Sequence, residues 1–185
     1  MMVMLVLLRL GDEAYGVPIS EEIEKQSGHD IAVGSVYAAL ERLEARGLVS
    51  SRVGEPTAER GGRAKRYFKA TGKGLKEIAE RMAFSPEQCI LLYDEFELPL
   101  GSVRARMSGG AGGHRGVASI LVAFQTDSFR RVKVGVGRPG GNVDRTAYVV
   151  TPFAPADEPT VDRAIALAEA RTLDMVEHAS AAKAL

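Results

Sequence analysis

Apolar and polar positions change rhythm several times along this 185-residue chain. Residues 1–10, MMVMLVLLRL, are almost continuously apolar and predict a buried first helix. Pro18 then stands where it can open a second helix over Ile19–Ser27, closed by Gly28. In Val33–Arg46 the apolar Val36, Leu40 and Leu43 recur at helical spacing, so this third helix buries one face and leaves Ser35, Ala38, Ala39, Arg42 and Arg46 elsewhere on its surface. Gly47 ends it. LVSSRV and KRYFKA follow as β-prone runs, separated by GEPTAERGGRA, whose Gly, Pro and charge content marks a long hairpin tip.

After Pro86 the pattern changes. EQCILLYDEFEL is an apolar strand running into acidic residues, and in PLGSVRARM the alternation of Val103 and Ala105 with Arg104 and Arg106 predicts a second strand with both arginines on one face. GGAGGHRGVASILVAF is a glycine-rich loop feeding a helix from about Val117, whose first backbone N–H groups could meet a phosphate or carboxylate. RRVKVGVGRPGG gives another strand and a turn. Asp157–His178 reads as a final helix with Ile165, Ala168 and Val176 inward. The second half is α/β in character.

Charge refines this picture without naming a partner, because the chain carries 24 basic and 24 acidic side chains. The charges are clustered, however. Arg60–Lys76 holds seven basic residues and no acid, and Arg104–Arg138 holds seven against Asp127 alone, so each half carries one basic stripe. The single cysteine, Cys89, cannot form an intrachain disulfide and reads as a small hydrophobe in the CILLY run, which suits a reducing cytosol. The apolar opening has neither the basic flank nor the small-residue cleavage site of a signal peptide, and ten residues are too few to cross a bilayer.

Three helices followed by a hairpin is the order of a winged helix. Such a unit binds DNA because its third helix fits a major groove while a basic hairpin reaches neighbouring phosphates. AYGVPISEEIE, GSVYAALERLEARGLV and GGRAKRYFKATGKG, in this order and spacing, resemble the N-terminal domain of PadR-family transcriptional regulators over about residues 1–80. Leu40, Leu43 and Leu48 are expected in the core and Tyr37 in packing. DNA contacts are expected from Ser35, Arg42, Arg63, Lys65 and Arg66. The helix after Thr71 has room for only about a dozen residues before Ser85 and Pro86, shorter than the pairing helices that the resemblance implies.

In the second half, LLYDEFELPLGSVRARMSGGAGGHRGVASI, FRRVKVGVGRPGG and YVVTPF resemble the C-terminal half of bacterial peptidyl-tRNA hydrolase, over about Phe84–Arg171. The resemblance implies metal-free hydrolysis of the ester joining a peptide to tRNA, by a histidine base oriented by an aspartate. By that matching Asp94 takes the aspartate's place, Arg104, Arg106 and Lys133 face tRNA phosphates, and His114 and Arg115 line the substrate cleft. Arg115 stands where the family commonly has Asn. The histidine expected as Asp94's partner belongs to the family's N-terminal half, and none of His29, His114 and His178 is its natural replacement.

The chain is therefore expected to comprise an α+β winged helix-turn-helix domain at 1–82 and a partial α/β domain, resembling the C-terminal half of peptidyl-tRNA hydrolase, at 83–185. It reads as a cytoplasmic PadR-like regulator whose hydrolase-like half lacks turnover. The expected partners are double-stranded DNA, tRNA and a second copy in a homodimer, with no membrane, metal or other cofactor. Two other readings stand beside it. One is an enzyme of the peptidyl-tRNA hydrolase class; the other is a fused or misassembled reading frame, suggested by the switch between Met82 and Ser85 without a linker.

Overall fold

The computed structural model describes residues 2–11, 14–54, 64–138, 140, 148 and 151–181, the side chains of 178–181 excepted. Its contacts divide the chain into two compact units. One holds Met1–Phe84 together with Arg115–Gln125, the other Ser85–His114 together with Thr126–Leu185. The division is not a single cut near residue 82, because one helix from the later sequence joins the first unit.

In the first unit, helices α1 (Met2–Leu10), α2 (Gly16–Ser27) and α3 (Val33–Ala45) precede an antiparallel hairpin of β1 (Val49–Val53) and β2 (Arg66–Ala70), then α4 (Gly72–Arg81). Met4, Val6, Leu7, Ile19, Ile23, Val36, Leu40, Leu48 and Phe68 form its core. Val36 and Leu40 are four residues apart and fully buried, as their spacing requires, and Leu43 packs against the same cluster. Helix α2 begins two residues before Pro18. That is tolerated because the first turn's N–H groups have no intrahelical acceptor. Its first residue must be small: a β-carbon on Gly16 would lie 2.5 Å from the Tyr37 ring.

Thr71 caps α4, its hydroxyl oxygen accepting from the Gly74 N–H at 3.1 Å and donating to the Gly47 carbonyl at 2.8 Å. Helix α5 (Arg115–Phe124) packs against α4. Two glycines of α4 permit close backbone approach, Gly72 to Ser119 and Gly74 to the Leu48 carbonyl.

The second unit is built on a three-stranded sheet of β3 (Ile90–Glu95), β4 (Val103–Arg106) and β5 (Arg130–Gly135), in the order β3-β5-β4. Strand β5 runs parallel to β3 and antiparallel to β4. Burial alternates along β3, with Leu91, Tyr93 and Glu95 buried and Leu92 exposed. The expected alternation in β4 is present, Arg104 and Arg106 being exposed between half-buried Val103 and Ala105.

Helix α6 (Glu158–Ala181) packs on β5 and β4. Its inner face agrees with the sequence at Ala168 and differs at Ile165 and Val176. Ala164 and Ala168 are buried, whereas Ile165 and Val176 are 57% and 49% exposed. The small pair at i and i+4 lets the helix approach the sheet closely, and Ile165, about 100° further round, points away. Arg130 secures the far end, its guanidinium donating to the Met175 carbonyl at 2.7 Å.

Candidate functional site

Two candidate sites lie in separate units. The first is the outer face of α3. With Val36 and Leu40 turned into the core, Ser35, Ala38 and Arg42 form an exposed stripe at i, i+3 and i+7. Glu41 is exposed beside it. A stripe of small residues ending in a guanidinium allows a helix to approach a groove closely and still hold a phosphate.

The hairpin residues expected to join this face differ in availability. Arg63 lies outside the described residues. Lys65 sits 4.5 Å from the centre of the Tyr15 ring, with its ammonium 3.4 Å from the Tyr15 hydroxyl. Arg66 is held within the unit: it donates to Glu44 at 2.6 Å and to the Ser51 hydroxyl at 3.0 Å. Its guanidinium has structural work before any DNA arrives. Arg52, not singled out from the sequence, is exposed and stacked 4.6 Å over Tyr67, its cross-strand partner. The signal was there once the hairpin register is known, since Arg52 and Tyr67 are directly opposed.

The second site is at the carboxyl end of β3. Asp94 Oδ1 lies 3.1 Å from His114 Nε2, with 36% and 29% of the two side chains exposed. The His114 ring makes a T-shaped contact with Tyr93, centroids 5.1 Å apart and planes at 62°. Next to Tyr93, Lys133 donates to Glu95 at 2.8 Å, and its ammonium stands 5.6 Å from the Tyr93 ring. The Glu95 bond raises the Lys133 pKa above the ordinary lysine value, and burial opposes the rise. Lysine 133 therefore serves first as the counter-charge of buried Glu95.

The loop that delivers His114 is glycine-rich for a conformational reason: Gly109, Gly112 and Gly113 have φ of 145°, 58° and 84°. It is tethered by Arg131, fully buried, which donates to the Gly110 carbonyl at 2.7 Å. Ala111 O accepts the His114 N–H at 2.9 Å and closes the last turn. The sequence offers no histidine beside Asp94, yet the folded loop carries His114, twenty residues away, into hydrogen-bond contact with it.

Of the other expected residues, Arg104 stands opposite Lys133, which stands opposite Tyr93, so the pleat puts all three on one face. Arg106 is two residues along the same exposed edge strand. Arg115 is exposed as the first residue of α5. His29 belongs to the first unit, where its ring nitrogen lies 2.7 Å from the Ser27 carbonyl. The His178 side chain is outside the described residues.

Comparison with known proteins gives two matches on this chain. A family model described as peptidyl-tRNA hydrolase matches residues 62–184, and one described as the transcriptional regulator PadR-like family matches residues 4–80. The two overlap over β2 and α4. A peptidyl-tRNA hydrolase from Aquifex aeolicus (strain VF5) is 40% identical over 99 residues, covering 54% of this chain and 52% of that protein. The chain thus spans about half the length of the curated relatives it matches. A crystal structure of a peptidyl-tRNA hydrolase in complex with n-propanol shares the fold at a TM-score of 0.53 and 20% identity, over 76% of this chain and 78% of that one. A solved transcriptional regulator from Clostridium thermocellum covers 44% of this chain and 75% of its own, at 30% identity and a TM-score of 0.37.

Proposed function

On the premise that the chain belongs to the peptidyl-tRNA hydrolase family and begins with a PadR-like winged-helix region, we propose that it is a DNA-binding transcriptional regulator whose hydrolase-derived half turns over little or no peptidyl-tRNA. The observation that carries the DNA-binding part is the outer face of α3. Ser35, Ala38 and Arg42 are exposed on a helix whose opposite face is fixed in a continuous core, so the reading helix is rigid and its contact stripe is open. Lys65 and Arg52, each against a tyrosine, add positive charge at the loop end of the hairpin's paired strands. Glu41 opposes phosphate, so backbone contacts fall to Arg42 and the hairpin rather than to the whole helix surface.

The low turnover follows from how much of the family this chain matches. Proximity and general-base catalysis together supply most of such an enzyme's rate, the base alone about 10²- to 10⁴-fold. A match over about half of the relatives' length leaves the positioning groups of the other half without counterparts. The exposed Arg104 and Arg106 support retained affinity for an RNA backbone, a second and weaker partner beside duplex DNA.

The test is a salt-titrated competition in which labelled duplex from upstream of the chain's own gene is challenged with tRNA. Arg42→Ala is expected to weaken duplex binding and lower the salt slope by about one, and Arg106→Ala to leave it unchanged. Displacement of the duplex by tRNA, with no effect of Arg42→Ala, overturns the proposal.

A further inference from the structure

We infer that the first unit contains a binding site for a short aliphatic carboxylate, set between α1, α3 and α4, and that its occupant weakens duplex binding. The site stands on its own geometry; only the regulatory consequence rests on the DNA-binding reading proposed above.

A recess of about 320 Å³, counting the space open to solvent, lies where the three helices converge. That is the low end of ligand-sized hollows, which run from about 300 to 1,000 Å³, so the occupant is small. The floor is Met4, Leu43, Leu48 and Ile78, all aliphatic, with no aromatic ring to stack on a planar ligand. Met4, Leu48 and Ile78 belong to the buried core and Leu43 packs against it, so the floor is firm. Met4, unbranched and polarizable, can still adjust to the length of an aliphatic tail. An apolar hollow between packed helices forfeits contact energy that a fitting ligand restores.

The mouth of the recess is charged and unbalanced. Glu77, about a quarter exposed, accepts from Arg46 through both carboxylate oxygens, at 3.2 and 2.9 Å, and from Arg81 at 2.9 Å. Lys73 adds a third cation beside them, donating to the Arg46 carbonyl at 2.9 Å. One carboxylate therefore answers three cations. Both arginines reach Glu77 through Nη2 alone and are more than half exposed, so their remaining N–H groups can serve a second carboxylate whose tail enters the recess. Glu77 itself shows which anion these guanidinium groups hold.

The recess adjoins the end of the reading helix. Leu43 lies in the last turn of α3 and Arg46 is its C-cap. A ligand carboxylate competes with Glu77 for Arg46 and loosens the tie from α3 to α4, while the tail presses on Leu43. Both effects displace the helix that carries Ser35, Ala38 and Arg42. By linkage, duplex and ligand then weaken each other by the same factor.

The experiment titrates octanoate into the full chain by calorimetry, with octanol and acetate as probes that lack the carboxylate or the tail. Octanoate is expected to bind at least about tenfold more tightly than either. Arg81→Met, which removes an exposed charge and keeps the apolar stem, should weaken octanoate about tenfold, leave octanol unchanged and unfold near the wild-type midpoint. Saturating octanoate should weaken duplex binding by wild type about fivefold. Absence of binding at millimolar octanoate, equal binding of octanol, or undiminished octanoate binding by Arg81→Met overturns the site. Octanoate that binds and leaves duplex affinity unchanged overturns the regulatory role. A chain that binds no duplex even without octanoate overturns the DNA-binding reading and the regulatory role with it, while calorimetry still decides the site.

Discussion

Gly72 and Ser119 meet backbone to backbone: the Gly72 N–H donates to the Ser119 hydroxyl at 3.1 Å, and a β-carbon on Gly72 would collide with the Ser119 carbonyl. This contact seats α5 against the first turn of α4. Gly72→Ala is therefore expected to destabilise the first unit by about 1–3 kcal/mol, the usual range for overpacking against atoms that cannot retreat. Gly34→Ala is the matched control. Nothing lies within 4 Å of a β-carbon there, and the position is helical, so alanine should stabilise by roughly 0.4–1 kcal/mol. Opposite shifts in thermal unfolding of the two variants check the assignment; a neutral Gly72→Ala would refute it.

Arg42 and Arg66 should separate binding from folding. Arg66 is engaged with Glu44 and Ser51 on half-exposed surface, so Arg66→Ala should cost about 0.2–1 kcal/mol of stability. Duplex affinity should fall less than in Arg42→Ala, which in turn should unfold at the wild-type midpoint. Urea titration beside gel-shift binding decides, and equal losses of affinity in the two variants would return Arg66 to the DNA face.

Much of the first unit is legible in the sequence because its elements are set by local pattern. Val36 and Leu40 announce the buried side of α3, and in the second unit the alternation from Val103 to Arg106 announces β4 in the same way. What escapes local pattern depends on partners distant in sequence. Gly72 reads as an ordinary glycine until Ser119 is laid against it. Ala168 faces inward as its position suggests, but Ile165, which looks inward because it is large, yields its place to Ala164. The His114–Asp94 contact was hidden for the same reason. It depends on three glycines at positive φ and on Arg131, buried fifteen or more residues from the loop it holds. The sequence shows a carboxylate and a histidine, and tertiary structure joins them.

Cys89 is expected to be slow to react. Partial burial pushes its thiol pKa up, and the negative charge of Glu87 pushes it further in the same direction. Little thiolate forms at neutral pH, so alkylation by iodoacetamide at pH 7.5 should run well below that of glutathione and accelerate only above the ordinary thiol value of 9.0. Glu87→Gln should quicken it modestly. Reaction as fast as glutathione would show that the thiol is open to solvent.

Lys133 and Glu95 give the last test, through pH. The hydrogen bond to Glu95 raises the lysine pKa above its ordinary 10.5, so the folded state binds this proton more tightly than the unfolded chain does. The resulting stability is fully present below 10.5 and fades only as pH climbs through the raised value. Lys133→Met removes the donor and leaves Glu95, 7% exposed, with a buried carboxylate lacking its cation, at a cost of about 1–3 kcal/mol. Adding Glu95→Gln to that variant should recover part of the loss, since an amide is far cheaper to bury than a charge. Urea unfolding of wild type and Lys133→Met should show a gap that stays level from pH 7 to 9. A gap that closes within that interval would mean that the ammonium is not the partner holding Glu95 in the sheet.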